Sequence, residues 1–213
     1  MTQPLITIVL DQTSKNGPNE SDAPLQSHLA ALSLHQCLLM LLDSPLNQAG
    51  HLEVYVRLMD QRLISIHREV RIPRTFKRFN QLFDNFLQGC DMPVVQTKEG
   101  PARLFKFVSK HLDKHLPPTA DCPRFKISNL TSRLANPNFF TDSLLPTNRL
   151  ALLVDLSLVD FNFLGDSREI DYEIKVIDKN PDKHTYSISR YPLSPALICV
   201  KLTSSFEIAL DVF

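Results

Sequence analysis

The segment LALLVDL, residues 150–156, gives the clearest indication of the fold class of this chain of 213 residues. It is a short apolar run that ends in a carboxylate, which is typical of a buried strand in a parallel sheet. PLITIVL at residues 4–10 is a run of the same kind, and residues 125–130 and 172–177 predict two further strands. Asp155 is then expected at the sheet edge where open α/β proteins bind ligands. A capping role in the turn after the strand is the alternative for Asp155.

Segments with helical periodicity alternate with these strands. Residues 25–42 are apolar on nearly every helical face, and Asp43, Ser44 and Pro45 follow, which predicts a buried helix. Phenylalanines three or four positions apart predict an amphipathic helix over residues 75–87. We predict a similar helix at 102–115 and a last helix that begins at Ser194 and Pro195. The alternation predicts an α/β fold with a largely parallel sheet.

A β-hairpin is predicted beside the sheet. Residues 52–58 and 63–67 alternate apolar and polar side chains, and a short polar turn separates them. We therefore place a hairpin extension around residues 51–72 within a single domain that covers residues 1–213. Residues 133–149 show no periodicity and are predicted to be irregular.

The composition excludes several classes of protein. Lys plus Arg and Asp plus Glu are equal at 23 each, so a basic site must be local. The five glycines form neither a dinucleotide-binding motif nor a P-loop, and the four cysteines include no C-x-x-C pair. No apolar stretch approaches the ~20 residues that span a bilayer, and no secretory signal opens the sequence. We expect a protein inside the cell without a membrane partner.

Positive charge is concentrated in and just before RIPRTFKRF, residues 71–79. If a helix begins near Pro73, Arg74 and Arg78 lie one turn apart on one face. Guanidinium groups on one face can bind phosphates in a bidentate manner and stack on unpaired bases. A solvated helix face without a ligand is the alternative. The basic residues of this stretch are Arg68, Arg71, Arg74, Lys77 and Arg78, against Glu69 alone.

Other chemistry has little support in the sequence. His111 and His115 have the spacing of two zinc ligands, but no third ligand lies nearby, so we predict no metal site. No G-x-S-x-G motif and no cysteine beside a local base support nucleophilic hydrolysis. Asp43 is either a polar group presented at a helix end or part of a turn ahead of Pro45.

Four blocks of the sequence resemble a known family. They are HQCLLMLLDSPLNQAG at 35–50, RIPRTFKRF at 71–79, KHLP at 114–117 and SISRYPLSPALICVKLTSSFE at 187–207. In order and spacing they are similar to the essential-for-mitotic-growth family of small-subunit rRNA pseudouridine methyltransferases. The resemblance implies a SPOUT-type knotted methyltransferase fold whose C-terminal segment builds an S-adenosylmethionine pocket. It also implies a homodimer, ribosome assembly proteins as partners, and a location in the nucleolus or nucleus.

The resemblance also assigns candidate residues. Arg71, Arg74 and Arg78 stand where the family's RNA-contacting arginines stand, and Lys77 adds charge beside them. The family's C-terminal cofactor loop and the start of its helix correspond to Ile188, Ser189, Leu193, Ser194 and Leu197, and Asp155 begins its other cofactor loop. S-adenosylmethionine is the expected cofactor if the chain is active.

Two departures from the family pattern bear on catalysis. Residues 30–32, Ala-Ala-Leu, replace the family's arginine, proline and aspartate, which leaves Asp43 as the candidate catalytic carboxylate. Asp155 and Asp160 replace two glycines of a cofactor loop, and aspartate adopts positive φ only at a cost of ~1 kcal/mol or more. We therefore predict a ribosome biogenesis factor that binds rRNA and whose methyl transfer is lost or weakened. An active rRNA pseudouridine methyltransferase with a diverged cofactor loop is the alternative.

Overall fold

A mixed β-sheet sets the positions of the other elements. The computed structural model describes residues 5–13, 23–90, 94–97, 100–129, 131, 133–156 and 184–212. The strands in these ranges are β1 (Leu5–Asp11), β2 (Leu52–Arg57), β3 (Leu63–Ile66), β4 (Val94–Thr97), β5 (Gly100–Arg103), β6 (Phe105–Val108), β7 (Arg124–Ile127), β8 (Arg149–Asp155) and β9 (Thr185–Tyr186). The helices are α1 (Ala23–Asp43), α2 (Pro45–Gln48), α3 (Phe76–Leu87), α4 (Pro137–Leu144) and α5 (Pro195–Leu210), and a 3₁₀ turn spans Leu112–Lys114.

Strand order divides the sheet into a parallel part and an antiparallel extension. Among the described residues the order is β6-β3-β2-β1-β8-β7-β9, and β4 pairs with β5 alone. The pairs β2-β1, β1-β8, β8-β7 and β7-β9 are parallel, whereas β2-β3 and β3-β6 are antiparallel. The predicted α/β class, largely parallel sheet and hairpin extension are confirmed. The single domain over residues 1–213 stays a prediction.

The central strands are covered on both faces. Successive residues Ile8, Val9 and Leu10 of β1 are all at most 1% exposed, and such neighbours point to opposite faces of a strand. Leu152 and Val154 of β8, the strand beside it, have no exposed surface. Continuous apolar runs are therefore explained by burial on both sides of the sheet, as predicted for residues 4–10 and 150–156.

Three of the helices form where their local sequence predicts them. Leu38 and Leu41 of α1 share one core with Leu202 and Phe206 of α5, and these two helices pack against each other. α5 begins after Ser194, whose Oγ accepts a hydrogen bond from the Leu197 amide at 3.3 Å. α3 buries the phenylalanine stripe of Phe79, Phe83 and Phe86.

Two segments differ from their predictions. Residues 102–115 form β5, β6 and the 3₁₀ turn instead of a helix, because Phe105 is buried and the Phe107 ring stacks on Phe86 at 4.4 Å when β6 pairs with β3. The segment 133–149, predicted to be irregular, contains α4. Its Phe140 is buried and contacts Phe125 of β7, ring centroids 5.5 Å apart. The strand predicted at 172–177 lies outside the described residues.

Candidate functional site

The predicted basic residues lie on the connection from β3 to α3 and on the first turn of α3. Arg71, Arg74, Lys77 and Arg78, which we call the basic face, are all exposed. Ile72, between two of them, is 7% exposed and belongs to the main core. Buried apolar side chains thus attach this stretch to the protein while its cations point into solvent.

Arg74 lies outside the helix, which corrects the expected spacing on the basic face. α3 begins at Phe76, and the chain is still extended at its N-cap Thr75, with φ −92° and ψ 132°. The carbonyl of Pro73 accepts a hydrogen bond from His35 Nε2 at 2.7 Å, so it is turned toward α1. Arg74 and Arg78 are therefore not one turn apart on a single helix face, although both are exposed.

Asp43, the candidate catalytic carboxylate, is paired with one of these arginines. Its Oδ2 lies 2.5 Å from Arg74 Nη1, and the two side chains are 50% and 73% exposed. A pair this exposed contributes ~0 to 1 kcal/mol to stability, so it orients Arg74 more than it stabilises the fold. Leu32, which the sequence resemblance aligns with a carboxylate, lies half-buried on α1. The catalytic role of Asp43 stays a prediction.

A second group of candidates lies at the carboxyl ends of the parallel strands. Asp155 ends β8 opposite Asp11 of β1, and both carboxylates are buried. Asp155 accepts a hydrogen bond from Ser128 Oγ at 3.2 Å and lies 3.8 Å from Lys126 Nζ. Asp11 Oδ1 lies 3.6 Å from Arg57 Nε. Each buried carboxylate thus has a cationic partner, as burial of charge requires.

The predicted C-terminal cofactor loop lies between β9 and α5. Asn129 holds it, since its Nδ2 donates to the Leu193 carbonyl at 2.7 Å and its Oδ1 accepts from the Leu193 amide at 3.2 Å. Ser187 Oγ donates to the Ser189 carbonyl at 2.8 Å, which orders the start of the loop. Ile188, Ser189 and Leu193 are half-buried, and Ser194 and Leu197 are exposed.

Two residues missed by the sequence reasoning connect the candidates. Ser128 binds Asp155 and its neighbour Asn129 binds Leu193, so the end of β7 brings the two predicted cofactor segments together. Both lie in the segment 125–130, which was predicted as a strand without functional residues. The polar pair directly after a predicted strand is the signal that could have found them. Asp160 lies outside the described residues.

Among the residues that the structure describes, helices α1 and α5 each have two large apolar side chains that are exposed. Leu29 and Met40 on α1 are 37% and 40% exposed, and Leu197 and Ile208 on α5 are 42% and 70% exposed.

In the described part of the chain, no three His, Cys, Asp or Glu side chains are grouped so that they could hold a metal ion. Across the same residues, no helix has the length and apolar character needed to cross a membrane.

Comparisons with known proteins agree with the sequence resemblance. Residues 33–207 match the family described as EMG1/NEP1 methyltransferase. The chain is 33% identical over 184 residues to "Ribosomal RNA small subunit methyltransferase NEP1" of Drosophila melanogaster, covering 81% of this chain and 63% of that protein. The human protein of the same name is 34% identical over 173 residues, covering 81% and 62%. The chain thus spans less than two thirds of the length of these relatives.

A solved structure shares the fold. It is the crystal structure of Archaeoglobus fulgidus Nep1 bound to S-adenosylhomocysteine, which matches 98% of this chain and 100% of that chain with a TM-score of 0.60. The two sequences are 16% identical, so the likeness concerns the fold. The SPOUT-type methyltransferase fold implied by the sequence is confirmed, and the knot stays a prediction.

Proposed function

The chain belongs to the EMG1/NEP1 methyltransferase family, and from this membership we propose that it binds small-subunit ribosomal RNA through the basic face. The observation that supports this proposal is that all four cations of the basic face are exposed on a stretch anchored by buried apolar residues. Residues 71–78 contain no acidic residue. Such a cluster can neutralise several phosphates, and the release of their counterions favours binding.

We further propose that methyl transfer is lost or weakened in this chain. Asp155 begins a loop where the family has glycine, and its carboxylate is buried against Ser128 and Lys126. A side chain in that position narrows the space in which backbone could lie against adenosine. Leu32 supplies no base to accept the proton that the target nitrogen must lose.

An active methyltransferase is the second candidate, and a specific observation favours it. Asn129 holds the loop before α5 with two hydrogen bonds to Leu193, so the segment expected to contact the cofactor is ordered. The protein that shares the fold was crystallised with S-adenosylhomocysteine. S-adenosylmethionine affinity separates the two candidates, because only an active enzyme needs a competent pocket.

The RNA proposal predicts that the triple variant R71A/R74A/R78A binds small-subunit rRNA more weakly. Each lost phosphate contact should also reduce the slope of log affinity against log salt by somewhat less than one unit. Fluorescence anisotropy with a labelled hairpin of small-subunit rRNA sequence measures both quantities. The control K110A/K114A/K201A removes three exposed cations elsewhere and should bind nearly as the unmodified chain does. Equal affinity and slope in the first variant would contradict the proposal.

The cofactor proposal predicts an S-adenosylmethionine dissociation constant above about 100 µM, which is less than roughly 5.5 kcal/mol of binding. Isothermal titration calorimetry measures it. The variant D155G/D160G should bind more tightly, because glycine removes both carboxylates from the loop. Restoring aspartate at position 32 (L32D) should change turnover and leave cofactor affinity as it is. Micromolar affinity of the unmodified chain would favour the active enzyme.

The remaining proposals concern the setting of the protein. We propose a homodimer with the exposed apolar residues of α1 and α5 at the two-fold interface, because removing apolar surface from water favours association. A nucleolar or nuclear location and ribosome assembly proteins as partners follow from the proposed rRNA ligand. Fluorescence microscopy of the tagged protein and recovery of its bound partners test these two points.

A further inference from the structure

The connection from β3 to α3 is held at both ends by side chains of α1 and α2. Residues 68–74, which we call the arginine segment, adopt neither helix nor strand. The carbonyl of Arg68 accepts a hydrogen bond from Asn47 Nδ2 at 2.9 Å, and that of Pro73 accepts one from His35 Nε2 at 2.7 Å. The segment therefore has a fixed backbone although it lacks the hydrogen bonds of regular structure.

His35 is suited to hold one end of the arginine segment. It is 3% exposed, and its ring stacks on Phe79 of α3 with centroids 4.7 Å apart and planes at 22°. A carbonyl oxygen can only accept a hydrogen bond, so the Nε2 of His35 carries the proton in this contact. The stacked ring can direct that N–H toward Pro73 without losing further conformational freedom.

Asn47 holds the other end. It is 5% exposed, and its Nδ2 donates to the Leu42 carbonyl at the end of α1 as well as to Arg68, each at 2.9 Å. Both amide hydrogens are therefore used, and one side chain bridges α1 and the arginine segment. The opposite amide orientation would set Oδ1 against two carbonyl oxygens, so the donor arrangement is strongly preferred.

The anchors surround the arginines that we assign to RNA. Arg71 lies between the two held carbonyls, and Arg74 follows Pro73 directly and pairs with Asp43. We propose that His35 and Asn47 are positioning residues that arrange Arg71 and Arg74 for RNA before RNA binds. The inference rests on the proposed function. A segment arranged in advance loses less conformational entropy on binding, which raises affinity without adding a contact.

Two variants of His35 separate the hydrogen bond from the packing. H35F keeps an aromatic ring beside Phe79 but has no donor for Pro73, whereas H35Q keeps an N–H donor without the ring. Affinity is measured by anisotropy with the labelled hairpin of small-subunit rRNA sequence. We expect H35F to weaken binding about tenfold and H35Q less than threefold. The free-energy cost of ordering the backbone of a single residue on binding is large enough to account for the tenfold loss. Wild-type affinity in H35F, or a larger loss in H35Q, would overturn the inference.

A double-mutant cycle distinguishes positioning from general destabilisation. H35F should weaken binding in the unmodified chain and should have no further effect in R71A/R74A, because the arginines it positions are then absent. An equal loss in both backgrounds would overturn the inference and leave the proposed function intact. Wild-type affinity in R71A/R74A would instead overturn the proposed function together with this inference. If H35F does not fold, N47A removes both donors at the other end and is tested in the same cycle.

Discussion

At the scale of single residues, hydrogen-bonding polar side chains define the candidate site. Ser128 and Asn129 each bind one of the two segments expected to contact a cofactor, at Asp155 and at Leu193. His35 and Asn47 do the same for the stretch that carries the basic face. Because a buried polar group without a partner is costly, such residues constrain the backbone more than exposed charges do.

The four cysteines provide a residue-scale prediction. Cys90 is exposed, whereas Cys37, Cys122 and Cys199 are buried, and burial raises the pKa of the Cys37 and Cys122 thiols. Only the thiolate reacts, so in the folded protein we expect Cys90 alone to react rapidly with Ellman's reagent at pH 8. All four should react in denaturant. The C90S variant should lose the rapid phase, and a rapid phase that persists in C90S would contradict the assignment of exposure.

At the scale of elements, the candidate site residues lie at the N-terminal ends of two helices. The loop of Ile188, Ser189 and Leu193 leads directly into α5, and the basic face spans the beginning of α3. The two helix starts differ in their caps. Ser194 accepts a hydrogen bond from the Leu197 amide, whereas the side chain of Thr75 makes no capping hydrogen bond. The start of α5 is therefore fixed locally, and that of α3 depends on its packing against α1.

This difference in capping predicts unequal costs of two matched substitutions. S194A should lower the free energy of unfolding by ~0.5 to 2 kcal/mol, because it removes the side-chain acceptor of the Leu197 amide. T75A should cost clearly less, since no such hydrogen bond is lost. Urea denaturation at 25 °C measures the difference. The two variants are compared with the same slope of the free energy of unfolding against urea concentration. Equal losses in the two variants would contradict the predicted difference, and a negligible loss in S194A would show that the Ser194 cap does not stabilise α5.

At the scale of the whole molecule, the packed helices α1 and α5 keep several large apolar side chains exposed among the described residues. The sheet core and the inward sides of α1 and α5 are closed to solvent. Leu29, Met40, Leu197 and Ile208 on these two helices remain exposed. The proposed homodimer would cover these side chains, and removing their apolar surface from water would favour association.

The homodimer is predicted to depend on these exposed residues. I208D should shift the protein toward monomer in sedimentation velocity at micromolar concentration, because a carboxylate is costly to bury at an interface. M59D is the matched control, since Met59 is 59% exposed in the turn between β2 and β3. A monomeric unmodified chain, or an I208D variant that sediments as the unmodified chain does, would contradict the prediction.

Elements with local signals are predictable from the amino-acid sequence. Continuous apolar runs predicted β1 and β8, phenylalanine spacing predicted α3, and Ser194 with Pro195 predicted the start of α5. The surplus of positive charge in residues 71–78 is also evident from the sequence, because it depends only on the residue types in that stretch. Each of these properties depends on residues within a few positions of each other, so one stretch contains all the information.

Features that depend on distant partners become visible once the chain is folded. In isolation, residues 105–108 fit both the helical period and the two-residue period of a strand. Pairing with β3 makes them a strand. The place of Arg74 depends on the contact of Pro73 with His35, 38 positions away in sequence. Ser128 and Asn129 join Asp155 to Leu193 because β7 lies between β8 and β9 in the sheet. The free energy of these contacts comes from burial and hydrogen bonds between remote segments, which local periodicity does not encode.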